Sequence, residues 1–144
     1  MIRQYVPRDR DALLDVWAES VTIAHPFWAT ATVEQERRDI AETFLPVAET
    51  YVFERSGEVV GFISLLGNEV GGIFVSPRYQ GQGIGRALMD WARQSRDHLE
   101  LDVFELNAIG RAFYAAYGFD LVGRRRDDAT GQQILRLRLP SKVR

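Results

Sequence analysis

The stretch Val75-Ser76-Pro77-Arg78-Tyr79-Gln80-Gly81-Gln82-Gly83-Ile84-Gly85-Arg86-Ala87-Leu88 holds the residue types best placed to do chemistry. An apolar strand runs through a proline turn into a loop in which Gly81, Gly83 and Gly85 remove the Cβ atoms from one side, so that backbone N–H groups can point at a ligand. A helix follows from about Gly83. Its first-turn N–H groups have no intrahelical partners and add to the helix dipole in favouring an anion. Arg86 in that turn opposes the dipole unless an anion lies between them. The stretch therefore predicts a phosphate cradle, flanked by the polar side chains of Gln80, Gln82 and Arg86.

Spacing narrows the kind of phosphate ligand. A P-loop requires glycine, four residues and then Gly-Lys-Ser/Thr, yet the single lysine of the chain is Lys142. A dinucleotide fingerprint counted from Gly81 and Gly83 needs glycine at the position held by Arg86. Composition removes further classes. The absence of cysteine rules out disulfides, thiolate zinc sites and a cysteine nucleophile, and His25 and His98 are too few for a dedicated histidine metal cluster. A net charge of −2 gives no general reason to expect nucleic acid. The run Arg124-Arg125-Arg126, followed by Asp127-Asp128, reads as a solvated hairpin end. No apolar run approaches the roughly 18 residues that span a bilayer, so no membrane partner is expected. Residues 1–6 enter a strand-like pattern at once, which predicts no signal peptide and a cytoplasmic location. A chain of 144 residues fits one domain, 1–144.

The elements that must position the loop follow from periodicity and from breakers. Residues 2–5 read as a strand. Pro7 and Asp9 start a helix to about Ala24, with Leu13, Leu14, Trp17 and Val21 on one face. Pro26 ends it within His25-Pro26-Phe27-Trp28, where ring-bearing side chains cluster. Thr32 and Gln35 form a capping-box pattern for a second helix that Pro46 stops near Phe44. The period then becomes two, with strands over 51–53 and 59–66 joined at Ser56-Gly57. The strand over 69–75 carries Gly71-Gly72 in its interior, the mark of a bulge or of a close backbone approach. In the cradle helix Ile84, Leu88, Trp91 and Ser95 predict a packed face, with an end near His98. The strand over 99–104 sets Leu99, Leu101 and Val103 against Glu100 and Asp102. Asn107 caps a helix to Tyr117, and Gly118 stops it. Strands over 119–123 and 132–139 close the chain, the last wet on one face at Arg136 and Arg138 and open to solvent or to a partner chain.

Gln80-x-x-Gly83-x-Gly85, placed between a strand and a helix, resembles the pyrophosphate loop of the GNAT superfamily, the acetyl-CoA-dependent N-acetyltransferases. Asn107 followed by Ala112-Phe113-Tyr114 and Tyr117-Gly118-Phe119 resembles the second motif of that family, and the element order matches over nearly the full length. The helical opening with Ser20, His25 and Phe27 is most similar to the small stand-alone bacterial YjaB-like subgroup. The resemblance implies an α/β (α+β) acyl-CoA N-acyltransferase fold, a mixed, mostly antiparallel sheet of about seven strands flanked by about four helices. It implies acetyl-CoA as co-substrate, no metal, and direct transfer in a ternary complex to a primary amine such as a protein lysine or N-terminus. A small-molecule amine is the alternative acceptor, and a non-catalytic acyl-CoA-binding module is the alternative outside enzymes. Monomer and homodimer both stay open.

The same resemblance implies that the pantetheine arm enters like an extra strand between the strands over 69–75 and 99–104, its amides pairing with main-chain groups of Phe74 and Val75. Gln80, Gly81, Gln82, Gly83, Gly85 and Arg86 would hold the pyrophosphate, and Asn107 would cap its helix and contact the arm. Transfer demands a neutral amine, stabilisation of an oxyanion and a proton for the departing thiolate. Tyr114, a phenol with an ordinary pKa of about 10, is the candidate acid, against the plainer reading of a packing aromatic beside Phe113 and Tyr117. Glu69 acting through a water and His25 are candidate bases, and a water relay with no base is the third option. His25, Phe27 and Trp28 are candidates for shaping the acceptor pocket.

Overall fold

The computed structural model describes residues 1–26 and 28–140. One sheet of seven strands runs in the order β1-β2-β3-β4-β5-β7-β6. Its strands are β1 (Ile2–Gln4), β2 (Glu49–Arg55), β3 (Glu58–Leu66), β4 (Glu69–Val75), β5 (Leu99–Phe104), β6 (Asp120–Arg126) and β7 (Gln133–Leu139). The helices are α1 (Arg10–Ala24), α2 (Thr30–Asp39), α3 (Ile84–Arg93) and α4 (Ala108–Tyr117). All neighbours are antiparallel except β4 and β5, which run parallel and share one register pair, Glu69 with Glu100. This is the mixed, mostly antiparallel sheet that the sequence predicts. Among the described residues, no helix is long and apolar enough to cross a membrane.

Two apolar layers hold the sheet. On one side Leu88 and Met89 of α3 meet Ile63, Leu65, Leu99 and Leu101, and on the other Leu13 and Trp17 of α1 meet Val52 and Phe62. Burying each such large side chain is worth about 1.5–3 kcal/mol relative to leaving it exposed. Because β3 is covered on both faces, it is buried without a break from Val59 to Leu65, in place of the alternation of a half-wet strand.

Several local expectations are corrected by tertiary contacts. Thr32 does not cap α2, which begins at Thr30 behind Ala29 with no side-chain cap; Gln35 donates to Asp39 instead, at 2.9 Å. The continuation Ile40–Phe44 is π-helical, the N–H of Leu45 reaching back to the carbonyl of Ile40 at 2.8 Å. The cradle helix ends at Arg93 and leaves Ser95 outside, while Trp91 is 39% exposed, its ring 5.7 Å from that of Tyr51. Burial selects Ile84, Leu88, Met89 and Ala92 because α3 rests on β3 at Gly61, where a Cβ would stand 3.2 Å from Ile84 and 3.4 Å from Leu88. The arginine run does lie exposed at the hairpin end of β6, as the sequence predicts, and it pairs there, Arg124 with Glu105 at 2.6 Å and Arg125 with Asp102 at 2.9 Å. The final strand β7 is interior, so the edge strands of the sheet are β1 and β6.

Candidate active site

The strand β4 meets β5 only at Glu69 and Glu100, with the N–H of Glu100 donating to the carbonyl of Asn68 at 2.9 Å. Beyond that junction the two strands part. The cause on β4 is a bulge: Ser64 lies opposite Gly72 and Leu65 opposite Val70, so Gly71 is an extra residue. A Cβ at Gly71 would stand 2.4 Å from the ring of Phe44, so any other residue there would have to displace that ring of the π-helical turn. A cavity of about 1040 Å³ opens along this gap, lined by Gly71 to Val75 on one side and Leu101 to Phe104 on the other.

At one end of the cavity sits the glycine loop. Gly81 and Gly83 have φ of +79° and +83°, in the left-handed region that side chains disfavour, and a Cβ at either would meet nothing within 4 Å. The loop is thus open above its own backbone. Ala87 N–H is the first of α3 to find a helical partner, the carbonyl of Gly83 at 3.0 Å; no described hydrogen bond uses the N–H of Gly83, Ile84, Gly85 or Arg86. Gly85 serves a different need, since a Cβ there would lie 3.2 Å from the ring of Phe113 on α4. Arg86 lines the cavity and makes no ion pair among the described residues, its guanidinium lying over the Tyr117 ring at 5.4 Å. Asp90, its potential partner one turn along, instead accepts from the Tyr117 hydroxyl. Burial and that hydrogen bond push the Tyr117 phenol up to about 12. A helix N-terminus with free N–H groups and an uncommitted cation suits a pyrophosphate.

Tyr114 lines the middle of the cavity, wedged between the rings of Phe113 at 5.5 Å and Phe119 at 5.6 Å. Burial raises its pKa above the ordinary phenol value, and no described residue hydrogen-bonds its hydroxyl. Near neutral pH it is therefore a neutral phenol that keeps its proton, with a hydroxyl uncommitted among the described residues. Asn107 caps α4, its Oδ1 accepting from the N–H of Gly110 at 2.9 Å, and it also lines the cavity. Gly118 ends α4 at φ +118°. On the far side His25 stacks on Trp28 at 4.8 Å and meets the edge of Phe104 at 5.2 Å. His25 is 8% exposed, and burial lowers its pKa, so it is neutral near pH 7. Phe27 lies outside the described residues.

Two sequence candidates are not brought to the cavity. Both carboxylate oxygens of Glu69 are taken by Arg136, Nη2 to Oε1 at 2.6 Å and Nη1 to Oε2 at 2.8 Å, and Glu69 does not line the gap. The side chain of Gln82 turns away and accepts from Arg55. A third is redrawn: Ser76 N–H donates to the Val60 carbonyl at 2.8 Å and Phe74 lies opposite Phe62, so by the alternation of an antiparallel ladder the polar main-chain groups of Phe74 face β3. Those of Ile73 and Val75 face the gap, and Phe74 offers its ring. The Val75 carbonyl already accepts from Gln80 Nε2 at 3.2 Å and from Ser20 Oγ at 3.1 Å. Sequence reasoning missed Phe44, Glu36 and Asp39, which line the cavity from the α2 region. Burial and then the neighbouring charge of Asp39 raise the Glu36 pKa. The helical spacing of Glu36 and Asp39 put them on one face, the only signal available.

Comparison with known proteins is consistent with this geometry. A family model described as an acetyltransferase (GNAT) domain matches residues 46–121. The peptidyl-lysine N-acetyltransferase YiaC of Escherichia coli (strain K12) is 34% identical over 123 residues, covering 85% of this chain and 84% of that protein. The peptidyl-lysine N-acetyltransferase YjaB of the same strain is 31% identical over 132 residues, covering 91% and 89%. The solution structure of apo-form YjaB from Escherichia coli superposes with a TM-score of 0.85 at 29% identity, covering 96% of each chain. At the level of fold alone, a PaiA N-acetyltransferase from Thermoplasma acidophilum in complex with coenzyme A gives a TM-score of 0.80 at 19% identity, covering 97% of this chain and 98% of that one.

Proposed function

The chain belongs to the GNAT acetyltransferase family and is an N-acetyltransferase, and we propose that it moves an acetyl group from acetyl-CoA to the lysine side chain of a protein. The observation that carries this reading is the continuity of one cavity from the glycine loop, past the gap beside Gly71 and Tyr114, to the ring cluster at His25. At about 1040 Å³ it is as large as or larger than typical pockets for one small ligand, leaving room for a donor and an acceptor together. The proteins most similar in sequence named above carry peptidyl-lysine in their names. Glu36 and Asp39 line the acceptor side and favour a cationic side chain over a neutral one.

The residues divide the work as follows. The N–H groups of Gly83 to Arg86, with the Arg86 guanidinium, hold the pyrophosphate. The main-chain groups of Ile73 and Val75 accept the pantetheine amides as an added strand would, which requires the Val75 carbonyl to exchange its bonds from Gln80 and Ser20. A main-chain N–H of the bulged strand stabilises the oxyanion formed as the neutral amine attacks the thioester carbon. The nitrogen–carbon bond forms and the carbon–sulfur bond breaks; Tyr114 gives its proton to the thiolate, and the amine proton leaves to water. No protein base is assigned, because Glu69 is held by Arg136 and His25 is enclosed by rings. With no cysteine in the chain, a cysteine acyl-enzyme has no place.

Measuring free CoA released with lysine peptides, free N-terminal peptides and small amines tests the proposal. Release with lysine peptides, with the acetyl group located on lysine by mass spectrometry, is the expected outcome. Release only with small amines would replace the acceptor, and acetyl-CoA binding without release to any amine would leave a non-catalytic binder.

A further inference from the structure

We infer that Arg136 is a positioning residue that sets how far β4 and β5 part, and thereby how tightly the gap grips the arm of acetyl-CoA; the inference rests on the reading that the arm lies in that gap. Past Glu69 and Glu100 no described main-chain hydrogen bond joins the two strands, so the width of the opening is left to side chains. Arg136, on β7, reaches across β5 to β4. One guanidinium bonds both oxygens of Glu69 at 2.6 and 2.8 Å, Oε1 of Glu100 at 3.1 and 3.3 Å, and Oδ1 of Asp102 at 3.3 Å.

The neighbouring charges make this placement specific. Three carboxylates, Glu69 on β4 with Glu100 and Asp102 on β5, face one another at the junction, and like charges there push the strands apart. Other cations meet the same carboxylates. Arg138 and His98 bond Glu100, at 3.2 Å each, and Arg125 bonds Asp102 at 2.9 Å. All of these tie β5 to its own neighbourhood. Among the described residues only Arg136 bonds Glu69, so it alone fastens β4 to β5 by charge. Asp102 also lines the cavity, which carries the fastening to the wall of the gap itself. The planar fork of arginine, with its several N–H donors, can serve two strands at once, which a lysine ammonium does with less geometric control.

The test compares the full chain with Arg136→Met, Arg136→Lys and Glu69→Gln. Calorimetric titration with acetyl-CoA gives the dissociation constant and the fraction of binding-competent molecules, and steady-state kinetics give KM and kcat. Arg136→Met is expected to raise the dissociation constant and KM for acetyl-CoA about tenfold, the equivalent of about 1.4 kcal/mol, while kcat stays within about threefold. Arg136→Lys should fall between it and the unaltered protein, and Glu69→Gln, which keeps shape and fold while removing the charge, should raise KM about threefold. A purely structural arginine would lower the binding-competent fraction and leave the dissociation constant of the remainder unchanged, and that result overturns the inference. So does a dissociation constant within twofold of the unaltered protein in both Arg136→Met and Glu69→Gln. If the unaltered protein binds no acetyl-CoA, the underlying reading fails and this inference with it.

Discussion

At one end of the cavity the ligand-facing surface is backbone: Gly81 and Gly83 at φ of +79° and +83°, and N–H groups of the first turn of α3 that no described residue uses. At the other end it is side chain: His25 stacked on Trp28, both edge-on to Phe104, which lies 79 residues beyond His25 in sequence. The first surface is fixed by local geometry and suits a ligand whose pyrophosphate never changes. The second is assembled from α1, the loop after it and β5, and can be altered by substitution without disturbing the sheet. The difference teaches how one fold can keep its donor and change its acceptor. Between the two ends lie Tyr114 and the bulge at Gly71, where the proposed transfer would take place.

This division can be broken at defined points. The largest effect is expected at the centre: Tyr114→Phe should lower kcat about 10²- to 10⁴-fold, while acetyl-CoA binds within twofold of normal by calorimetry. Because burial disfavours the Tyr114 phenolate, its proton is retained as pH rises, and kcat should show no loss attributable to Tyr114 up to about pH 10. A Tyr114→Phe variant with undiminished turnover would reduce this residue to a packing aromatic.

Next in size comes the backbone end. Gly83→Val places a β-branched residue at φ +83°, costing of order 1–3 kcal/mol in stability, and should raise KM for acetyl-CoA at least about tenfold with acceptor KM little changed. An acceptor KM that moved equally would show the two ends to be coupled. Trp28→Ala is expected to do the reverse, raising acceptor KM several-fold through lost ring contacts and leaving the acetyl-CoA dissociation constant alone. The smallest effect belongs to Gln82→Ala. Its side chain faces Arg55 and not the cavity, so both KM values should stay within about twofold; a large rise in the acetyl-CoA value would return Gln82 to the cradle.

The cradle, the Gly71 bulge, the Asn107 cap and the Gly118 stop are legible in the sequence because each is decided within a few residues. A left-handed φ demands glycine, a first turn demands a cap, and an extra small residue lets a strand bulge. Local signals failed where they competed with packing. The Thr32 pattern lost to a helix start at Thr30, and the face of α3 was chosen by β3. The sharpest case is Glu69, whose position at the head of a glycine-bearing strand suits a base acting through water. Its fate was decided by Arg136, 67 residues away, which appears in the sequence only as one arginine of an alternating strand. What the sequence by itself determined was thus the open glycine-loop backbone and the family-like motif around Tyr114. Which carboxylate is free, which rings meet at His25 and how wide the gap stands were decided only by tertiary structure, because a side chain's partner across a sheet leaves no mark on its own neighbours in the chain.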